Sequence, residues 1–140
     1  MTLRFLLDTN VLSEPLKPIP QDALLRRLEE HQDEVATAAP VWHELVYGCR
    51  RLPPSRRRAM LERYLDEALG GLIVLTYDAA AAARHAEERV RLEASGRTAP
   101  FVDGQIAAIA LVHRLVLVTH NVADFRRFAG LEIADWSLPA

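Results

Sequence analysis

The chain has 140 residues and a formal net charge of −2 at pH 7, with 50% of its residues hydrophobic and 26% charged. This length fits one folded domain over residues 1–140, and the composition excludes a disordered or collagen-like chain. No apolar run approaches the ~20 residues of a membrane span, the N-terminus lacks the pattern of a secretory signal, and the single cysteine, Cys49, cannot form an internal disulfide. We therefore expect a cytoplasmic protein with no membrane attachment.

Arginine dominates the basic residues, because all but one of the 17 are arginine and the exception is Lys17. Several arginines form the clusters 50–51, 56–58 and 126–127. The arginine side chain binds phosphate through two parallel hydrogen bonds, so these clusters could hold a polyanion. Solvated helix faces explain the same clusters, and the near-neutral net charge indicates no global basic field. Both interpretations stay open.

The first predicted strand is the apolar run 3–7, which ends at Asp8, Thr9 and Asn10. A short apolar run of this kind is typical of a strand buried on both faces, as in a parallel sheet. Ligands of open α/β sheets bind outside the carboxyl ends of the strands, which favours a functional role for Asp8. The alternative is that Asp8 caps a following helix, since Asp, Thr and Asn all favour caps and turns.

The rest of the chain alternates helices and strands. Three prolines between Ser13 and Pro20 predict an extended connector. The later predicted elements are a helix over 22–32, a strand over 35–37, helices over 41–51 and 55–69, a strand over 72–76, a helix over 78–94, a loop over 95–100, a helix over 102–113, a strand over 115–118, a helical turn from 124 and a strand over 131–133. This alternation predicts a parallel sheet with helices on both faces.

Further polar residues fall at positions where chemistry could use them. The strand over 115–118 ends at a second polar triplet, 119–121, so Asp8 and Asn121 are expected at the same edge of the sheet. Glu44 lies roughly 60° from the apolar stripe of its helix, where its carboxylate can reach inward. Asp103 lies in the first turn of its helix, where the helix dipole alone would favour a negative charge.

Three carboxylates and an amide oxygen at one sheet edge would repel one another unless a cation neutralised them. Mg²⁺ prefers oxygen ligands, and neither cysteine nor histidine is placed to form a zinc site. A divalent ion at a phosphodiester can activate water and offset charge on the leaving oxygen. The residues therefore predict metal-dependent hydrolysis of a phosphodiester.

Four segments resemble, in order and spacing, the motifs of PIN-domain ribonucleases, and more narrowly the VapC toxins of bacterial toxin–antitoxin pairs and the related FitB proteins. The segments are LLDTNVLSEP at 6–15, VWHELVYG at 41–48, FVDGQIA at 101–107 and VTHNVADF at 118–125. The resemblance covers nearly all of the chain. It implies a three-layer α/β/α sandwich on a mainly parallel sheet of about five strands, and cleavage of RNA by an endoribonuclease that depends on Mg²⁺ or Mn²⁺.

The resemblance also implies a site. It assigns the catalytic and metal-binding roles to Asp8, Glu44 and Asp103. The fourth position, an acid in many PIN domains, is Asn121 here, and Asp124 lies three residues further on. Both are candidates for a further metal ligand, although Asp124 is equally suited to capping the helical turn at residue 125.

Supporting roles fall to polar neighbours of these acids. Thr9 and Thr119 are expected to supply hydroxyl groups, Asn10 to fix Asp8, and Asn121 to support the site even if it binds no metal. The implied partners are an RNA substrate, a second copy of the chain, and a VapB-like antitoxin, which together with the chain forms a heterotetramer or a larger assembly. DNA would be contacted only through the antitoxin. Two alternatives remain: a metal nuclease that acts on DNA or processes RNA, and a non-catalytic partner in a DNA-binding repressor complex.

Overall fold

The computed structural model describes residues 2–139, which form a five-stranded parallel sheet. The strands lie in the order β3-β2-β1-β4-β5. Their bounds are Phe5–Leu7 for β1, Val35–Ala38 for β2, Ile73–Leu75 for β3, Val116–Val118 for β4 and Ile133–Ala134 for β5. Each predicted strand is present, although most are shorter than the apolar runs that indicated them.

Within residues 2–139, seven α-helices cover the two faces of this sheet, which gives the expected three-layer α/β/α sandwich. They are α1 (Thr9–Leu12), α2 (Asp22–Glu30), α3 (Ala39–Arg50), α4 (Arg56–Arg63), α5 (Ala79–Ala94), α6 (Phe101–His113) and α7 (Val122–Phe125). A π-helical segment, Tyr64–Ala68, extends α4. Between residues 2 and 139, no helix is both long enough and apolar enough to cross a membrane.

Two local expectations concern the residues after β1. Asp8 is the N-cap of α1, which begins directly at Thr9, as the capping alternative predicted. The fully extended connector is wrong, because residues Glu14–Leu16 form a 3-10 turn. Pro15 fits the start of that turn, where the N–H that proline lacks would have no partner within the helix.

The topology confirms the predicted edge. β1 pairs in parallel with both β2 and β4, and Leu7 aligns with Val118 at the carboxyl ends of β1 and β4. The chain leaves β1 towards β2 on one side and returns to β4 on the other, so a switch point of the sheet lies between β1 and β4. Asp8 and Thr119 therefore leave neighbouring strands at the same edge.

Candidate active site

Asp8 is a buried carboxylate at the end of β1. Its Oδ1 accepts a hydrogen bond from the backbone N–H of Thr9, and its Oδ2 accepts one from Thr119 Oγ1, both at 2.8 Å. Burial raises the pKa of Asp8, while these two hydrogen bonds favour the ionised form and oppose the rise. Both oxygens are therefore held in place from different strand ends, and the capping role weighed for Asp8 coexists with its place in the site.

Glu44 reaches the same place from α3. It is exposed, and its Oε2 accepts a hydrogen bond from Thr9 Oγ1 at 2.8 Å. Thr9 thus binds Asp8 through its backbone and Glu44 through its hydroxyl. Thr9 therefore lies between the two carboxylates, and its supporting role stays a prediction.

Asp103 lies half-buried in the first turn of α6 and faces the other acids. Burial is the largest cause that raises its pKa to about 6, and the negative charges of Asp8, Asp124 and Glu44 raise it further. Arg127 is the opposing positive charge. Three carboxylates from other parts of the chain therefore act on Asp103.

Asn121 and Asp124 take different positions in this arrangement. Asn121 is exposed at the N-cap of α7, and its backbone N–H donates to Thr119 Oγ1 at 3.0 Å. Its side-chain amide makes no hydrogen bond to residues 2–139. Asp124 lies within α7 and does not cap it, so the capping expectation for Asp124 is wrong. Asn121 carries no charge, whereas the charge of Asp124 raises the pKa of Asp103.

Asn10 supports Asp8 indirectly. Its Nδ2 donates to Thr119 Oγ1 at 3.4 Å, and its Oδ1 accepts from the backbone N–H of His120 at 3.2 Å. Asn10 therefore links α1 to the loop after β4. Because Thr119 also donates to Asp8, the same hydrogen-bond network helps to orient the Asp8 carboxylate.

Sequence reasoning missed a second polar cluster behind these residues. Glu14 is fully buried, with Oε1 at 3.0 Å from Lys17 Nζ and Oε2 accepting from the backbone N–H of Gln21 at 3.2 Å. The ammonium group of Lys17 beside Glu14 lowers the pKa of Glu14 below its usual value. His120 lies between Glu14 and Asp135, with Nε2 at 3.6 Å from Glu14 Oε1 and Nδ1 at 3.0 Å from Asp135 Oδ1. No spacing signal announces this cluster, since it forms only when the connector packs against the loop after β4.

Arg127 belongs to an arginine cluster for which two interpretations stayed open. Its guanidinium donates to the Thr98 carbonyl and lies 3.8 Å from Asp124 Oδ1. Its own carbonyl accepts from Arg91 Nη2 at 2.6 Å, and Arg91 also pairs with the buried Glu88 at 2.9 Å. Helix α5 thus holds the segment after α7, which positions one cation beside the acids.

The donor set suits a hard divalent cation. Its side-chain groups are carboxylate and hydroxyl oxygens, and the mutual effect of the acids on Asp103 is the repulsion that a cation would remove. In residues 2–139, however, no three His, Cys, Asp or Glu side chains converge tightly enough to enclose an ion. The acids fit the chemistry of Mg²⁺ or Mn²⁺, which stays a prediction.

Comparison with known proteins places this geometry in context. The PIN domain family model matches residues 5–131. The chain is 33% identical over 136 residues to the tRNA(fMet)-specific endonuclease VapC of Shigella flexneri, covering 96% of this chain and 99% of that protein. It is 32% identical over 124 residues to Toxin FitB of Neisseria gonorrhoeae, covering 86% of this chain and 89% of that protein.

Solved structures agree with these matches. The structure of FitAB bound to an IR36 DNA fragment superposes with a TM-score of 0.88 at 26% identity and covers 97% of each chain. The DNA-bound VapBC of Salmonella typhimurium superposes with a TM-score of 0.83 at 29% identity, covering 96% of this chain and 98% of that chain. Sequence and structure comparisons thus point to one family.

Proposed function

The chain belongs to the PIN-domain family, and we propose that it is an endoribonuclease acting as the toxin of a VapBC-type toxin–antitoxin pair. The main supporting observation is that the charges of Asp8, Glu44 and Asp124 all act on Asp103 close to the switch point of the sheet. The names of its relatives, an endonuclease and a toxin, support the same activity.

Asp8, Glu44 and Asp103 would hold Mg²⁺ or Mn²⁺, with Asp124 as the further ligand in preference to Asn121. When bound, such an ion supplies Lewis acidity to the phosphodiester and to a nearby water molecule. The reaction is hydrolysis, in which water adds to phosphorus and the RNA oxygen leaves. No side chain is needed as a covalent nucleophile.

The chain's own residues orient these acids. Thr119 and the backbone of Thr9 hold the two oxygens of Asp8, and the Thr9 hydroxyl holds Glu44. These two carboxylates are thus oriented before substrate arrives, which lowers the cost of ordering the site. With a pKa of about 6, Asp103 binds a proton in a large fraction of metal-free molecules near pH 6, so metal binding there would release protons.

A groove beside Glu44 suits the expected antitoxin. A cavity of about 460 Å³ runs between α1, α3 and α4, and its wall includes Leu45, Met60 and Leu61 next to Thr9 and Glu44. An amphipathic segment of a VapB-like protein could bury its apolar face there and reach the acids. The relatives solved as FitAB and VapBC are bound to DNA, which supports an assembly of toxin, antitoxin and DNA. Within it, the proposal has the antitoxin contact DNA and the toxin pair with a second copy of the chain.

The test is cleavage of labelled single-stranded RNA by the purified protein with Mg²⁺ or Mn²⁺. We expect cleavage that stops in excess EDTA and is lost in Asp8→Ala. The matched control is Asp33→Ala, which removes an exposed acid at the opposite, amino-terminal edge of β2 and should leave cleavage intact.

Three outcomes would contradict the proposal. Cleavage that survives chelation refutes the metal, and cleavage that survives Asp8→Ala refutes the site. A protein that cleaves no RNA but binds promoter DNA together with its antitoxin would instead be a non-catalytic regulator.

A further inference from the structure

A second cavity, of about 240 Å³, opens between α5 and the start of α6. Its wall combines apolar and polar groups, with Leu92 and Phe128 at one side and His85, Arg89 and Phe101 at the other. Neither the four acids nor the antitoxin groove includes these residues. The cavity is therefore separate from the site already described.

His85 places a polar atom at this cavity. The residue is 6% exposed, and its Nδ1 lies 2.7 Å from the Tyr77 hydroxyl. Its Nε2 makes no hydrogen bond to any residue between 2 and 139 and lies against Gly104, where an added Cβ would come within 2.2 Å of it. Burial lowers the pKa of His85, which favours the neutral ring. A glycine inside α6 thus makes room for an imidazole nitrogen that has no partner.

Phe101 supplies an aromatic surface at the mouth of the cavity. It is 54% exposed, which is high for phenylalanine, and its ring lies 4.7 Å from that of His85 in an edge-on arrangement. The guanidinium of Arg89 lies 5.8 Å from the centre of the Phe101 ring. Proteins hold unpaired bases by stacking them on aromatic and guanidinium groups and by hydrogen bonds to the base edge.

The start of α6 connects this cavity to the acids. Phe101 and Gly104 lie on either side of Asp103 in the chain, and Pro100 provides no side-chain cap. The first backbone N–H groups of an uncapped helix can bind a phosphate group. Arg127, which lowers the pKa of Asp103, also donates to the Thr98 carbonyl at the cavity wall. A nucleic-acid backbone that crosses this helix end would bring a base to the cavity and a phosphodiester to the acids.

We propose that the cavity binds one unpaired RNA base in the strand that flanks the cleaved phosphodiester, stacked on Phe101 and hydrogen-bonded by His85 Nε2. The inference rests on the proposed ribonuclease function and adds to it a requirement for an unpaired base near the cut. Such a pocket would select single-stranded or looped RNA over duplex RNA.

The first experiment compares Phe101→Ala, Phe101→Leu and Phe101→Trp with the wild type in steady-state cleavage of a single-stranded oligoribonucleotide. A lost stacking contact should raise KM by roughly 5- to 100-fold in the alanine variant, with a smaller change in kcat. Leucine restores apolar bulk without an aromatic face and should resemble alanine. Tryptophan should restore the wild-type KM.

The second experiment removes the base instead of the side chain. Abasic nucleotides are placed one at a time along the same oligonucleotide. At one position near the cut, we expect the abasic nucleotide to raise the KM of the wild type about as much as Phe101→Ala raises the KM for the intact oligonucleotide. At that position Phe101→Ala should lose little more, because the two changes delete the same contact. A non-cleavable 2′-O-methyl version of the oligonucleotide, read by fluorescence anisotropy, repeats the comparison without turnover.

The outcomes separate this inference from the ribonuclease proposal. If RNA is cleaved but no abasic position raises KM, or if Phe101→Ala leaves KM unchanged, the base pocket is overturned and the nuclease proposal stands. If the protein cleaves no RNA, but an abasic nucleotide weakens binding in the anisotropy assay for the wild type and not for Phe101→Ala, the nuclease proposal is overturned and the base pocket is kept. If Phe101→Ala instead dissociates a dimer in light scattering and the abasic profile is flat, Phe101 packs against a second copy and the pocket is overturned.

Discussion

Thr119 Oγ1 donates a hydrogen bond of 2.8 Å to Asp8 Oδ2, although the two residues are 111 positions apart in the chain. They meet because β1 and β4 pair in parallel and end together. The same hydroxyl oxygen accepts from the backbone N–H of Asn121 and from the Asn10 amide. One buried hydroxyl thus fixes a carboxylate and the loop beside it.

Replacing Thr119 with valine should therefore reduce RNA cleavage about tenfold, because Asp8 loses one of its two fixed hydrogen bonds at a cost of roughly 1–3 kcal/mol. Thr119→Ser keeps the hydroxyl and should retain most activity. Cleavage rates together with denaturant unfolding of both variants check this. Equal rates for valine and wild type would show that Asp8 needs no such support.

Asp103→Asn should stabilise the metal-free protein at neutral pH. The folded-state pKa of Asp103 is about 6, above its ordinary value of 3.8, so ionisation destabilises the folded state and the cost is complete once the pH is well above 6. The cost falls as the pH drops through 6 and is gone below 3.8, where the folded and unfolded states both bind the proton. The thermal midpoint of Asp103→Asn in EDTA should thus exceed that of the wild type at about pH 7.5, and the two should converge at about pH 3. Asp33→Asn serves as the control, and a difference that persists at about pH 3 would point to another cause.

Asp124 and Asn121 can be separated by metal binding. Because Asp124 acts on Asp103 and the Asn121 amide has no polar contact within residues 2–139, Asp124→Asn should weaken Mn²⁺ binding more than Asn121→Ala does. Calorimetric titration of Mn²⁺ into each variant measures the difference. A larger loss in Asn121→Ala would assign the fourth ligand to the amide after all.

Glu14→Gln should destabilise the protein without altering the four acids of the candidate active site. Glu14 is fully buried and its pKa is lowered chiefly by Lys17, so its ionised form stabilises the fold above its unfolded pKa, and that contribution is lost as the pH falls through its lowered folded pKa. We expect roughly 1–3 kcal/mol less stability at pH 7, since charge-assisted hydrogen bonds become neutral ones. Denaturant unfolding at pH 7 and at pH 3 measures this, and the gap between variant and wild type should shrink at pH 3. A constant gap would assign the effect to packing alone.

The reach of sequence reasoning differs between the sheet and the loops. Apolar runs such as 3–7 and 115–118 predicted their strands and the shared edge, because apolar periodicity and strand order are local and topological properties. The surroundings of His120 and Glu14 were not predictable, since they depend on how a proline-rich connector folds over a loop more than 100 positions away. Gly104 did give a signal, because glycine is unfavourable within a helix and marks a close approach. Its partner, His85, could be found only in the structure.

The four acids lie at positions 8, 44, 103 and 124, so the site is assembled from residues that are translated at different times. No fragment that lacks the later half of the chain contains more than two of them. An activity that needs all four cannot begin on a partly synthesised polypeptide, however early the first strands form. The proposed site can therefore be completed only after position 124 has been translated, near the end of synthesis.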